Sequence, residues 1–171
     1  MSWTLLIVFA AVAVGVSFLC SILEAVLLST TTAHVQVMET EGMRSSSLWK
    51  EFKDEPERPL TAILTLNTIA HTVGALGVGA QVAALYAGDP LEQKAIFLAS
   101  AALTVAVLLL SEILPKTLGA IYWKKLSGFT AFTLRTLIAL LIWIVWPIGK
   151  LRWNFVSTKC QSLESFVNSE T

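Results

Sequence analysis

The chain has 171 residues, of which 55% are hydrophobic and only 14% are charged, whereas an average soluble domain carries about 25% charged residues. Together with a mean hydropathy of +0.70, this composition excludes a disordered chain and an ordinary water-soluble globule. The 12 basic and 12 acidic residues cancel to zero net charge, so no basic field favours a nucleic-acid partner.

Four apolar stretches dominate the sequence, at residues 3–28, 60–87, 95–122 and 129–148. Each is long enough to cross the hydrocarbon core as a helix, which takes about 20 residues. We therefore predict an all-α integral membrane protein. The first stretch has no basic residue before it and no Ala-x-Ala exit, so it is predicted to be a membrane helix rather than a cleaved signal peptide.

The basic residues predict the orientation, since Lys and Arg favour the cytoplasmic side of a membrane. The linker at 34–59 carries four of them, whereas the turn after the second stretch carries only Lys94. The N-terminus and this turn are therefore predicted to be extracellular, and the linker and the C-terminus cytoplasmic. In the turn, Asp89 as N-cap, Pro90 at N1 and Glu92 at N3 predict a capping box that begins the third helix.

We expect helices at about 3–33, 60–87 and 90–122. The linker mixes six acidic with four basic residues and is predicted to form one or two short cytosolic helices, with a solvated charged face as the simpler interpretation. The fourth stretch has basic residues on both sides, which favours a juxtamembrane helix at 126–150, broken near Pro147, over a fourth span. A plain span stays open on length alone. Residues 151–171 are predicted to be a cytosolic tail.

Polar residues recur inside the three predicted spans, where each is costly. They form three groups, each on one helical face or within two turns: Ser17, Ser21 and Glu24; Asn67, His71 and Gly74; and Ser111, Glu112, Pro115 and Lys116. At 1.5 Å per residue, members of all three groups fall about 20–27 Å from the outer surface. Independent structural residues have no reason to coincide in depth, so the pattern predicts one shared site.

Pro115 adds a backbone oxygen to this layer. A proline cannot donate to the carbonyl four residues back, which here is that of Ser111. A free carbonyl beside the Glu112 carboxylate, facing hydroxyls and an amide oxygen, is the kind of site that hard cations prefer. Mg²⁺, Ca²⁺ and Na⁺ all use oxygen ligands, so the choice among these ions stays open.

Each of these residues has a structural alternative. The two serines of the first helix can bond their own helix carbonyls, and Asn67 and His71 can pack between helices. Glu112 can pair with Lys116 at i+4, and Glu24 can be neutral or paired at the cytosolic end. A stripe of small residues suits packing within the bundle or in a homodimer. It consists of Ala75, Gly79, Ala83 and Ala87.

Three of these motifs resemble signatures of one family. They are the run from Ser17 through Ser21 to Glu24-Ala, the tripeptide Leu66-Asn67-Thr68, and Glu112-Ile-Leu-Pro115-Lys116-Thr117. Together they resemble the transmembrane domain of the cyclin M (CNNM)/CorC family of magnesium transporters, over about residues 1–150.

The resemblance implies three transmembrane helices plus a juxtamembrane helix, assembled as a homodimer. It also implies a transported, largely dehydrated Mg²⁺, with Na⁺ as a coupling ion. Carried over by motif, the metal ligands are Ser17, Ser21, Asn67, Ser111 and Glu112. The further candidates for the ion pathway or for charge pairs are Glu24, His71, Pro115 and Lys116.

The chain departs from the family pattern at residues 20–22 and at Ser111, where glycine is common. The cytosolic CBS pair expected from the family is absent from this chain. The implied function is Mg²⁺ efflux, driven by Na⁺ entry, and the alternative is a cation-sensing membrane anchor without transport. An intramembrane hydrolase is disfavoured, since the sequence has no His-Glu-x-x-His motif and no convincing Ser/His pair.

Overall fold

The computed structural model describes residues 3–141, and these form helices joined by short turns, with no strand among them. The predicted tail at 151–171 and the predicted break near Pro147 lie outside the described residues. The helices, in chain order, are α1 (Trp3–Ser29), α2 (Thr32–Thr40), α3 (Ser46–Asp54), α4 (Glu57–Leu85), α5 (Glu92–Ala106), a π-helical segment (Val107–Ile113) and α6 (Leu114–Leu140).

Three helical stretches are long and apolar enough to cross a membrane: α1, α4 and the 49-residue stretch from Glu92 to Leu140, which is kinked at Tyr122. This confirms the predicted all-α, multi-pass architecture. α1 is the central helix and packs against both α4 and α6. Two glycines allow the close approach, since a Cβ on Gly74 would collide with Ala13, and one on Gly119 would lie 2.8 Å from the Cβ of Ala25.

The linker forms two short helices, α2 and α3, within the predicted one or two. These helices have a buried apolar side as well as a charged side. Leu48, Trp49 and Phe52 are buried in the main hydrophobic core. The Trp49 indole Nε1 donates to the carbonyl of Ser127 in α6 at 3.1 Å. An interpretation of the linker as a merely solvated charged segment is therefore wrong, because an apolar stripe anchors α3.

α3 also serves as a cap for α1. The ammonium of Lys53 donates to the carbonyl oxygen of Leu27 at 3.0 Å, near the C-terminus of α1, where a cation is favourable. Partial burial lowers the pKa of Lys53. The linker is thus tied to α1 by a hydrogen bond as well as by its apolar face.

Several helix boundaries differ from the sequence prediction; α1 ends at Ser29 rather than at 33, and α4 spans Glu57–Leu85 rather than 60–87. α5 begins at Glu92 rather than at residue 90: the Asp89 carboxylate accepts from the backbone N–H of Leu91 at 2.8 Å, and Glu92 reaches back to the N–H of Gly88. The predicted capping box is therefore wrong: the N-cap of α5 is Leu91, which makes no side-chain cap hydrogen bond, and Asp89 instead closes a tight turn before the helix.

The third predicted span ends at 122, and the structure has a kink there: Tyr122 has non-helical dihedral angles (φ −100°, ψ 16°), so two helices meet inside α6. The segment predicted as a juxtamembrane helix therefore begins directly after this kink rather than at 126.

Candidate metal centre

One atom, the Nε2 of His71, lies at the meeting point of the three long helices. The Ser17 hydroxyl of α1 lies 2.8 Å from it, and the Asn67 amide oxygen, one turn away on α4, lies at 3.1 Å. A carboxylate oxygen of Glu112 in the π-helical segment lies at 3.8 Å. The structure therefore brings together polar residues from all three groups that coincide in predicted depth, two of them from the second group.

Local sequence explains why these side chains meet. Asn67 and His71 are four residues apart and so share one face of α4. Gly74, one turn further on, permits α1 to approach that face closely, which buries Ser17 completely. Glu112 comes from the third helix, at a point where the hydrogen-bond pattern changes.

The π-helical segment ends at Ile113, two residues before Pro115. The backbone N–H of Leu114 donates to the carbonyl of Leu109, five residues back, instead of four. A π-bulge of this kind is rare and is frequently found at functional sites. The segment holds the buried Ser111, whose hydroxyl donates to the carbonyl of Val107 at 2.7 Å, and it places Glu112 beside His71.

Ser21 differs from the other serines. It lies one turn from Ser17 on the same face of α1 and is 1% exposed, and its hydroxyl oxygen has no hydrogen-bond partner. Among the described residues, Gln81 and Thr130 are the other two with such an oxygen. A buried polar atom without a partner costs about 1–3 kcal/mol. Such an atom next to a polar cluster is a candidate ligand for an ion, and the back-bonded alternative does not describe Ser21.

The charge pairs cross between helices. Lys116 lies 3.1 Å from the carboxylate of Glu24 in α1, while Glu112 faces His71. The alternative of a self-neutralised Glu112–Lys116 pair within one helix is therefore not what the structure shows. Glu24 and Lys116 instead form a second polar layer next to the first.

A cavity of about 250 Å³ opens onto the cluster, lined by residues from α1, α4, α5 and the π-helical segment. His71, Thr104 and Glu112 are its polar residues, and Ala75 forms part of its wall. In the stripe that includes Ala75 and Gly79, a Cβ on Gly79 would meet open space, so this glycine is not required for a close helix approach within the chain. The cavity gives the cluster a path to the outside of the helix bundle.

The Ser17–His71 contact is a Ser/His pair that sequence reasoning discounted. It does not reproduce the arrangement of a hydrolase triad, in which the carboxylate binds the ring nitrogen opposite the one that contacts the serine. Here the serine, the amide and the carboxylate all approach the same nitrogen, Nε2. Three oxygen-bearing side chains thus converge on a single ring nitrogen, which is not the linear relay of a triad.

The donor atoms available are hydroxyl, amide and carboxylate oxygens and one imidazole nitrogen. Within residues 3–141 there is no group of three or more His, Cys, Asp or Glu side chains placed to hold a metal. The cluster thus lacks the thiolate or multiple-imidazole set that structural zinc sites use. Oxygen-rich sites of this type suit hard divalent cations.

Three apolar helices around a partly buried polar cluster define a polytopic membrane domain with a candidate cation site. The sequence profile of the cyclin M transmembrane N-terminal domain (CNNM) matches residues 7–163. The match covers most of the chain, which therefore belongs to the CNNM transmembrane domain family.

Three curated relatives are similar over most of this chain. The UPF0053 protein sll1254 of Synechocystis is 28% identical over 143 residues, which is 84% of this chain and 40% of that protein. A UPF0053 protein of Haemophilus influenzae is 24% identical over 86% of this chain and 34% of its own length. The UPF0053 inner membrane protein YfjD of Escherichia coli is 27% identical over 75% and 29%, respectively. The chain thus spans at most 40% of these relatives.

Proposed function

We propose that this domain carries Mg²⁺ across the cell membrane, in the direction of efflux and at the expense of Na⁺ entry. The observation that carries the proposal is the convergence of polar atoms from three helices within 3.8 Å of one point. Membership of the CNNM family supports it, through the motif resemblance to magnesium transporters.

The proposed ligands are the five residues that the motifs imply: Ser17, Ser21, Asn67, Ser111 and Glu112. Glu112 supplies the negative charge that a divalent cation needs in a low-dielectric site. The unpartnered hydroxyl of Ser21 gains a partner when an ion binds. Ser111 can contribute its backbone oxygen, because Pro115 has no N–H to donate to it. Its hydroxyl donates to the carbonyl of Val107 and keeps its oxygen lone pairs for an ion.

Transport is tested with Glu112→Gln in proteoliposomes that contain a Mg²⁺-sensitive dye. The substitution keeps the size of the side chain and one oxygen but deletes the charge. We expect Mg²⁺ flux and Mg²⁺-dependent thermal stabilisation to be lost while the protein still folds. Glu41→Gln is the matched control, because Glu41 is an exposed residue after α2, far along the chain from the cluster, and this variant keeps both signals.

The same measurements separate transport from sensing. A ligand that binds only the folded state raises its stability as the ligand concentration rises. A Mg²⁺-dependent shift in melting without flux favours the cation-sensing anchor. Flux that ignores an imposed Na⁺ gradient removes the coupling from the proposal, and the absence of both shift and flux in the wild type overturns it.

A further inference from the structure

We propose that the ion pair of Glu24 and Lys116 is a gate that closes the ion site toward the linker end of the bundle, where α2 and α3 lie. In the closed gate, the Lys116 ammonium is a tethered cation that occupies the carboxylate an ion would meet on that side. The inference rests on the proposed function, because it assigns two residues outside the ligand set to the control of access to the same site.

The cavity reaches the cluster from the opposite end of the bundle, where a turn joins α4 to α5. On α1 it is lined by Ala13, one turn before Ser17, and on α4 by Ala75, one turn beyond His71. In the third helix, its lining residues lie on the turn side of Glu112 or are Glu112 itself. An ion in the cluster therefore has an open route toward the end with the turn.

Polar groups also lead from the cluster toward the linker end. Ser17, Ser21 and Glu24 are spaced i, i+4 and i+7 and so share one face of α1. Ser21 is 1% exposed, and its hydroxyl oxygen has no hydrogen-bond partner. At the end of this row, the Lys116 ammonium lies 3.1 Å from the Glu24 carboxylate. Because Lys116 follows Glu112 by one helical turn, the pair lies on the linker side of the cluster in both helices.

Close packing surrounds the pair. Gly119, three residues after the lysine, lies so close to α1 that a Cβ on it would be 2.8 Å from the Cβ of Ala25. Leu27, three residues after the glutamate, is buried in the main hydrophobic core. The site is thus open at the turn end and closed at the linker end, which is one of the two states that alternating access requires.

An ion pair is suited to such a gate because it responds to the charge of the ion. The ammonium repels a cation that approaches from the site, and a divalent cation competes with it for the carboxylate. The side chains of Glu24 and Lys116 are 22% and 45% exposed, respectively. A partly exposed pair contributes little net stability, so it can open and close reversibly.

Access of a reagent from the linker side tests the gate. The reporter is Ser21→Cys in a Cys20→Ala, Cys160→Ser background, because Ser21 lies between Ser17 and the pair on α1. A membrane-impermeant thiol reagent is applied to membrane vesicles of each orientation. Ser47 is exposed in α3, so the side from which Ser47→Cys reacts is the linker side.

Glu24→Gln combined with Lys116→Met removes the pair without leaving an unpaired charge. We expect Ser21→Cys then to react about 5–150-fold faster from the linker side, the range that a coupling between two states typically spans. With Ser21 retained, this double variant keeps the Mg²⁺-dependent rise in melting temperature, because the five proposed ligands are unchanged. Glu39→Gln with Lys50→Met is the matched control, since it removes an exposed ion pair between α2 and α3 and leaves both measurements unchanged.

An unchanged labelling rate overturns the inference and makes the pair a helix contact only. Loss of the Mg²⁺ response that the wild type shows also overturns it, because Glu24 then belongs to the ligand set. If the double variant does not fold, Glu24→Gln with Lys116→Gln keeps a neutral polar contact and allows the same comparison. A wild type with neither Mg²⁺-dependent stabilisation nor flux refutes the proposed function, whereas the labelling rate is measured without Mg²⁺ and judges the gate alone.

Discussion

Glu24 and Lys116 illustrate how a charge is kept within a membrane helix. Each is costly by itself in an apolar environment, and a partner within hydrogen-bond distance offsets part of that cost. Their side chains are 22% and 45% exposed, respectively, and 3.1 Å apart. The pair therefore links α1 to the third helix beside the candidate metal centre.

A double-mutant cycle measures this link. Lys116→Met leaves the Glu24 carboxylate without its partner, so we expect a clear fall in melting temperature. Adding Glu24→Gln removes the orphaned charge and recovers part of the loss, with an interaction energy of about 0.5–3 kcal/mol. Melting of the two single variants and the double variant in detergent provides the numbers.

The competing pair gives the contrary outcome. If Lys116 instead neutralises Glu112, the melting temperature recovers when Lys116→Met is combined with Glu112→Gln. It does not recover when Lys116→Met is combined with Glu24→Gln. The two double variants have the same change in charge, so each serves as the control for the other.

At the level of single residues, the sequence was sufficient to predict which polar side chains lie at the same depth in the membrane. The rise per residue placed Ser17, Asn67 and Glu112 in one layer, and the structure brings them together. It could not assign the charge pairs, because spacing along one helix says nothing about which residue of another helix is nearer. The same limit hid the central position of His71, although its i+4 spacing from Asn67 was a visible signal.

Among the elements, the third helix departs most from a regular form. A proline in an α-helix displaces the carbonyl four residues before it. The chain accommodates Pro115 by a π-helical stretch, and the helix continues without ending. The sequence showed that Pro115 disturbs the helix but not whether the helix kinks, bulges or ends there. Each of the three relieves the clash between the proline ring and the carbonyl four residues before it.

Gly119 determines how closely α6 approaches α1. A Cβ at this position would lie 2.8 Å from Ala25 Cβ and 3.1 Å from the backbone oxygen of Ile22. Backbone cannot move aside cheaply, so we expect Gly119→Ala to destabilise the domain by about 1–3 kcal/mol. Thermal melting of the purified protein measures the change.

Gly128 is the matched control in the same helix. A Cβ there meets nothing within 4 Å, and alanine favours a helix over glycine by up to about 1 kcal/mol. Gly128→Ala is therefore expected to leave stability unchanged or to raise it. Equal effects of the two substitutions would mean that the contact of α1 with α6 is looser than described.

Helix existence followed from hydropathy, whereas helix boundaries depended on local hydrogen bonds that sequence does not reveal. The first helix stops at Ser29 rather than near residue 33, since Thr31 caps a new helix by accepting from the N–H of His34. The two linker helices were foreseen, but the burial of Trp49 was not. A short amphipathic segment with many charges gives little indication of whether its apolar side has a partner.

For the molecule as a whole, orientation is a prediction that the basic residues make and the fold does not test. The linker helices, the end of α1, the start of α4 and the end of α6 all contribute to one core. The short turn with Asp89 connects the end of α4 to the start of α5, at the end of the long helices that lies away from this core. The predicted cytoplasmic side thus corresponds to the end with the core.

Thiol labelling in intact cells tests the orientation. In a Cys160→Ser background, with the buried Cys20 kept, Asp89→Cys is expected to react with a membrane-impermeant reagent. Ser47→Cys is expected to react only after permeabilisation. Both positions are exposed, so each controls for accessibility of the other, and the reverse pattern would invert the topology.

The buried residues are concentrated at one end of the long helices, and this determines what a melting experiment can detect. Residues buried around Trp49 belong to the ends of helices, while α5 buries no residue at all. In detergent, unfolding therefore reports mainly on the end held by the linker helices. Ser17 and Ser21 lie on the helix that enters this core, so an ion bound to them is registered as a rise in melting temperature. A substitution on α5 can alter the route of the ion and leave the melting curve unchanged, and only a flux measurement would record it.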